Sequence, residues 1–121
     1  MFDQIYKGKK VFVTGHTGFK GSWLCLWLQQ LGAEVIGFSI DLPSEPAHFD
    51  LLKLKMVDIR GDIRNKALIL QKIVDYQPDI IFHLAAQPIV RLSYEEPFST
   101  YETNVMGTVN VLEAARKSKS C

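Results

Sequence analysis

Apolar residues fall along this chain in two rhythms, short solid runs and longer stretches with helical spacing. Lys10-Val11-Phe12-Val13-Thr14 is a solid run that stops at a glycine, as a strand buried on both faces would. Gly15 to Gly21 is a glycine-punctuated turn, and from Gly21 to Leu31 apolar residues recur with helical spacing at Trp23, Leu24, Trp27, Leu28 and Leu31. Gly32 is placed to cap that helix at its C-terminus. Glu34 to Ile40 predicts a second strand, and a loop runs from Asp41 to about Leu52 with Pro43 and Pro46 as breakers. Lys55 to Arg60 predicts a third strand closed by Gly61-Asp62. A helix is expected over Asn65 to Tyr76, apolar at Leu68, Ile69, Ile73 and Val74 and ended by Pro78. Asp79 to His83 predicts a fourth strand and 86–96 an irregular stretch. Pro97 then opens a long helix to about Lys117, with Phe98, Tyr101, Val105, Val109 and Leu112 on one face.

Strands that alternate with helices imply a parallel sheet joined by right-handed crossovers. The expected fold is α/β, a partial Rossmann-like doubly wound sheet of about four strands with flanking helices. It forms one domain over residues 1–121. The sequence has no internal repeat and no low-complexity segment. Its two long irregular stretches, 41–52 and 86–96, are of a length more often functional than accidental.

Composition narrows the function classes. The chain is 47% hydrophobic and 22% charged with net charge +1, which offers no electrostatic argument for nucleic acid or an acidic membrane surface. No apolar stretch reaches the roughly 18 residues of a membrane span, and the first residues lack a signal-peptide pattern. The two cysteines, Cys25 and Cys121, form neither a disulfide framework nor a metal-ligand spacing. Cys25 reads as a small core hydrophobe, and a reducing cytoplasm is the simplest compartment.

The chemistry concentrates in Thr14-Gly15-His16-Thr17-Gly18-Phe19-Lys20-Gly21. Gly15 lets the chain turn off the strand, Gly18 leaves room for a diphosphate against the backbone, and Gly21 allows close packing of helix on sheet. The free amides of the helix start, with about half a positive charge, face the phosphates. The alternative is a tight strand-to-helix turn with no ligand, and His16 and Lys20 are equally read as solvent-facing turn residues.

The G-x-x-G-x-x-G spacing resembles the extended short-chain dehydrogenase/reductase family, which includes sugar-nucleotide epimerases and dehydratases. Gly61-Asp62-Ile63-Arg64, His83-Leu84-Ala85-Ala86-Gln87 and Asn104-Val105-Met106-Gly107-Thr108 resemble later segments of the same family in the same order, from about residue 9 to 117. Residues 15–24 and 85–94 resemble its nucleotide-sugar 4,6-dehydratases, which are hydro-lyases.

The resemblance implies NAD as cofactor and a nucleotide sugar as substrate. The cofactor residues it implies are Gly15, His16, Thr17, Gly18, Phe19, Lys20, Gly21, Asp62, Ile63, Leu84, Ala85, Ala86, Gln87 and Asn104. Asp62 would accept from the adenine amino group and the Ile63 amide would bond a ring nitrogen; otherwise Asp62 is a helix cap or turn aspartate. Ala85 and Ala86 would clear space for ribose and phosphates, or serve helix-strand packing alone. Asn104 would contact backbone or cofactor, or make a buried structural hydrogen bond. Arg91, Ser93 and Tyr94 would line the sugar-nucleotide pocket, with a solvated surface arginine as the alternative for Arg91.

One departure bears on the cofactor. Many relatives end the second strand with an acid that takes the ribose hydroxyls. Here Ser39 holds that place with Asp41 two residues on, so NAD rests on the resemblance alone.

The family performs its chemistry with a Tyr-x-x-x-Lys pair and a nearby Ser or Thr. None of the four tyrosines, Tyr6, Tyr76, Tyr94 and Tyr101, is expected to supply it. The pair and the C-terminal substrate lobe are expected beyond Cys121, so residues 1–121 carry no catalytic residue, no metal site and no turnover of their own. The last helix resembles one that packs against a partner subunit, which allows a homodimer of the full-length protein. Two other readings remain open, another nucleotide-sugar dehydratase or epimerase and a non-catalytic dinucleotide-binding module.

Overall fold

The computed structural model describes residues 1–40 and 48–121. Strands β1 (Lys10–Thr14), β2 (Glu34–Ser39), β3 (Val57–Arg60) and β4 (Ile80–His83) form one sheet in the order β3-β2-β1-β4. Every pairing is parallel, with Lys10 opposite Glu34, Ile36 opposite Val57 and Val11 opposite Ile80. The helices are α1 (Phe19–Gln30), α2 (His48–Leu52), α3 (Lys66–Tyr76), α4 (Val90–Glu95), α5 (Pro97–Tyr101) and α6 (Gly107–Lys117), with a π-helical turn over Glu102–Met106 between the last two. This is the doubly wound Rossmann-like sheet that the alternation of strands and helices predicts.

Alternation along the central strands divides the core. Val11, Val13 and Val35 point to one face and pack with Cys25 and Leu28 of α1. Phe12, Ile36 and Phe38 point to the other and pack with Ile69 and Ile73 of α3 and Val111 and Ala114 of α6. Cys25 is fully buried, and that burial pushes its thiol up to about 12, as inert as a core hydrophobe.

Several boundaries move. Helix α1 begins at Phe19, so Gly21 lies inside the first turn. The third strand starts at Val57 rather than Lys55 and the fourth at Ile80 rather than Asp79. Helix α3 starts at Lys66, with Asn65 as N-cap accepting from the Leu68 amide. Gln77 in the left-handed region ends it just before Pro78. The predicted loop to Leu52 closes with a helical turn over His48–Leu52; Asp41, Pro43 and Pro46 lie outside the described residues. The predicted irregular stretch 86–96 also contracts, because Val90–Glu95 is helical.

The faces of two helices also correct the sequence reading. In α1 the buried positions are Gly21, Ser22, Cys25 and Leu28, while Trp23 and Trp27 are 49% and 46% exposed. In the final helical stretch Phe98, Tyr101, Val105, Val109 and Leu112 do share a spacing, yet all are exposed. The face of α6 that meets α3 carries Gly107, Asn110, Val111 and Ala114 instead. Small residues let α6 approach closely, and Asn110 there donates to the Ile63 carbonyl at 2.9 Å. No helix among the described residues is long and apolar enough to cross a membrane.

Candidate functional site

The carboxyl ends of β1, β2, β3 and β4 open onto a groove of about 360 Å³. Its walls include Gly15, Thr17 and Gly18 after β1, Ser39 and Ile40 after β2, Gly61, Asp62, Ile63 and Arg64 after β3, and Leu84, Ala85, Ala86 and Pro88 after β4. A groove at the carboxyl edge, where connections part to either side of a parallel sheet, is the usual ligand position in such folds.

The turn after β1 is shaped by contact. Gly15 has φ +77°, and a Cβ there would stand 2.8 Å from the Ala85 amide nitrogen, so strand β4's exit presses directly on the turn. At Gly21 a Cβ would stand 2.1 Å from the Gly15 carbonyl oxygen, which lets α1 seat on the turn only because it is absent. At Gly18, by contrast, a Cβ would meet only the Gly15 carbonyl oxygen, at 3.4 Å, and otherwise project into open space. Gly18 is the N-cap of α1 and lines the groove, and it supplies no side-chain cap to the amides of the first turn. A diphosphate fits this cradle: bare backbone, small walls and a helix start.

His16 lies elsewhere. Its ring is fully buried against Gly37 and edge-on to Phe49 at 5.0 Å, and Nε2 lies 2.6 Å from the Asp58 carboxylate. Burial lowers its pKa, outweighing the bond and charge of Asp58, so the neutral ring donates Nε2–H to Asp58 and leaves Nδ1 without a partner. The sequence offered His16 as a ligand or a solvent-facing turn residue; its side chain is neither, and braces the turn from below. Burial tends to raise the Asp58 carboxyl, but bonds from Arg60 and then His16 hold it below its ordinary value.

Thr17 bonds the Ser39 hydroxyl at 2.7 Å, tying the turn to the end of β2. Ser39, standing where many relatives place an acid, therefore already shares its hydroxyl within the chain. Phe19 and Lys20 line a second, apolar depression with Trp23 and Trp27 on the outer face of α1, which adjoins the groove through Leu84.

Asp62 makes the turn contact and stands in the groove where the adenine role would require it. It lines the groove, and its carboxylate accepts from the Arg64 amide at 2.9 Å and from the Arg64 guanidinium at 2.6 Å, which holds it below the ordinary carboxylate range. Ile63 is buried with its backbone in the wall. Leu84, Ala85 and Ala86 are in the wall as well. Gln87 and Asn104 instead bond each other: the Gln87 amide donates to the Asn104 side-chain oxygen at 2.7 Å and Asn104 Nδ2 donates to the Gln87 carbonyl at 3.1 Å. Asn104 thus makes the backbone contact that both of its candidate readings allow.

The three residues expected in the sugar pocket lie on α4 and outside this groove. Arg91 is paired with Glu95 at 3.0 Å on the surface, Ser93 bonds the Val90 carbonyl, and Tyr94 is 84% exposed.

Of the four tyrosines only Tyr6 has a lysine four places on, Lys10. Tyr6 nevertheless precedes β1 and Lys10 opens it, at the end of the strand remote from the groove. Sequence reasoning missed Thr14, whose hydroxyl accepts from the Leu84 and Ala85 amides, and Thr108, which bonds His83. A threonine closing a buried strand was the available signal.

A sequence model of the GDP-mannose 4,6 dehydratase family matches residues 12–121. CDP-glucose 4,6-dehydratase of Salmonella typhimurium is 53% identical over 115 residues, spanning 93% of this chain and 32% of that protein. CDP-paratose 2-epimerase of Salmonella typhi is 37% identical over 115 residues, spanning 92% of this chain and 34% of that protein. Among solved structures, the Thermus thermophilus UDP-glucose 4-epimerase complex with NAD superposes with TM-score 0.82 at 30% identity, covering 92% of this chain and 35% of that one. The chain thus spans about a third of the length of the proteins it matches.

Proposed function

This chain belongs to the GDP-mannose 4,6 dehydratase family, and on that premise we propose that it is the N-terminal, NAD-binding part of a CDP-glucose 4,6-dehydratase. The observation that carries the reading is the step in similarity, 53% identity to a CDP-glucose 4,6-dehydratase against 37% to a CDP-paratose 2-epimerase, each over 115 residues. The shape of the groove supports it independently, since bare glycine backbone and the start of α1 meet where a dinucleotide diphosphate needs them.

In this reading the amides of Gly15 to Gly21 receive the diphosphate, Asp62 and the Ile63 backbone take the adenine, and Leu84, Ala85 and Ala86 clear the path of the nicotinamide half. When bound, NAD would supply a reversible hydride acceptor for a dehydration in which the 4-hydroxyl of CDP-glucose is oxidised, water is lost across C5 and C6, and the hydride and a proton are added back at C6 and C5. The residues here bind and orient; the Tyr-x-x-x-Lys pair and the substrate lobe belong to the part of the relatives that this chain does not span. Arg91, Ser93 and Tyr94 are proposed to reach the sugar nucleotide only in that larger assembly. The unpartnered stripe Phe98, Tyr101, Val105, Val109 and Leu112 supports a homodimer built on this helix.

Calorimetric titration with NADH and with CDP tests the reading. The chain is expected to bind NADH with a 1:1 stoichiometry. Absence of NADH binding to the folded chain would reject the cofactor role.

A further inference from the structure

The imidazole of His83, at the end of β4, sits between two threonines from distant parts of the chain. Nδ1 lies 2.6 Å from Thr14 Oγ1 and Nε2 lies 3.0 Å from Thr108 Oγ1. Counting protons along this path leaves one arrangement. Two amides converge on Thr14 Oγ1, those of Leu84 and Ala85, each at 3.1 Å, the first shared with the Thr14 carbonyl. They occupy the hydroxyl's lone pairs, so its proton must go to His83 Nδ1. At the other end, Thr108 Oγ1 is 2.6 Å from the Asn104 carbonyl, which can only accept. Thr108 therefore donates there, and its lone pair faces Nε2, which must carry the hydrogen. Both ends demand the same neutral tautomer.

We infer that His83 is a positioning residue for the dinucleotide groove, fixed as the neutral Nε2–H tautomer, through which Thr14, Thr108 and Asn104 hold the Leu84–Ala86 wall in place. The polar line runs from the end of β1 to the π-helical turn, and Asn104 extends it to both backbone groups of Gln87. Residues 84–86 are thus tethered at one end by Thr14 and at the other through Asn104, while Ala85 rests on Gly15. The groups that face the ring from β1, from 84–85 and from α6 are hydroxyls and amides, none of them charged. A proton added at Nδ1 would point at an oxygen with no lone pair left, and the Thr14 hydroxyl could turn away only by releasing the two amides. Burial already lowers the pKa of this ring, in keeping with that arrangement.

The inference rests on the proposed cofactor role for its purpose, but its physical core is tested without cofactor. In the purified chain with 15N-labelled histidine, the ring-nitrogen shifts of His83 at neutral pH should show Nε2 protonated and Nδ1 bare. The opposite tautomer or a cation overturns the inference. His83→Phe keeps the ring and removes both bonds. Hydrogen exchange at Leu84 and Ala85 should then quicken about tenfold, with Ile69 and Ile73 unchanged, and the gap from the native chain should close as pH falls. Unchanged exchange at Leu84 and Ala85 overturns the inference. If His83→Phe fails to fold, Thr108→Val removes the Nε2 acceptor away from the groove and should give the same local signature. NADH affinity should weaken about tenfold in His83→Phe and return toward native in His83→Gln, whose amide both accepts and donates. If the native chain takes no NADH, the cofactor role falls while the tautomer and exchange results still decide this inference.

Discussion

Gly18 and Gly21, three residues apart at the start of α1, make different predictions. Gly21→Ala drives a methyl to within 2.1 Å of the Gly15 carbonyl oxygen, which is backbone and cannot swing aside. It should destabilise the chain by about 2 kcal/mol or more, read as a lowered urea midpoint. Gly18→Ala meets the Gly15 carbonyl oxygen only at ordinary contact distance, 3.4 Å, so its midpoint should stay within about 0.5 kcal/mol of native while NADH affinity drops at least about tenfold. Equal losses of stability in the two variants would contradict the assignment of Gly18 to the ligand side. Histidines set the pH response. His16 and His83 are both lowered from 6.5, chiefly by burial, so the folded chain binds fewer protons than the unfolded chain near that pH. Their contribution is present above 6.5 and is lost as pH falls through the lowered folded values. The urea midpoint at pH 5.5 should therefore lie below that at 7.5, and an equal or higher midpoint would refute the neutral-ring assignment. The glycines were legible in sequence because their spacing is their function. His16 was not, because nothing local distinguishes a ring aimed at solvent from one that fits over Gly37 and reaches Asp58, 42 residues away.

At the level of elements, strands were legible almost to the residue. A strand buried on both faces needs an unbroken apolar run, and the run over 10–14 is β1 as it stands. The glycine that ends α1, Gly32, was legible too, whereas the N-cap of α3 was not, because Asn65 reads equally well as the helix's first residue; Asn65→Ala tests it. Its side chain accepts from the Leu68 amide at 3.1 Å, and loss of that bond should cost about 1 kcal/mol in a denaturant titration without touching NADH affinity. What periodicity could not give is which face turns inward. In α1 the largest apolar residues, Trp23 and Trp27, stay half-exposed, and the smaller set Gly21, Ser22, Cys25 and Leu28 seats on the sheet. A helix that must lie close over a parallel sheet is selected for small contact residues, and size then opposes hydrophobicity as a guide to burial. The same inversion governs α6, where Gly107 and Ala114 approach α3 and Ile63 while Val109 and Leu112 face out.

On the scale of the whole molecule, that outward stripe has a consequence. Phe98, Tyr101, Val105, Val109 and Leu112 follow one another at helical spacing across α5, the π-helical turn and α6, and Phe98 is 81% exposed. A contiguous apolar band on a helix otherwise well packed on its opposite side is costly to leave in water, at roughly 25 cal/mol for each Å² of apolar surface. A second copy of the chain can cover it by an isologous contact, because one straight stripe is its own complement about a two-fold axis. The expected outcome is a concentration-dependent dimer in sedimentation velocity that persists in high salt, since apolar burial is not screened as surface charge pairs are. Val109→Glu with Leu112→Glu places two carboxylates in the middle of the band and should leave a monomer. Both positions are solvent-exposed in the single chain, so the fold and NADH affinity should be retained, which separates loss of association from loss of structure. A native chain that stays monomeric at high concentration, or a double variant that still pairs, would rule out the stripe as the contact. Neither the dimer nor the monomeric variant should turn over CDP-glucose, because neither brings a Tyr-x-x-x-Lys pair to the groove to take the proton from the sugar's 4-hydroxyl.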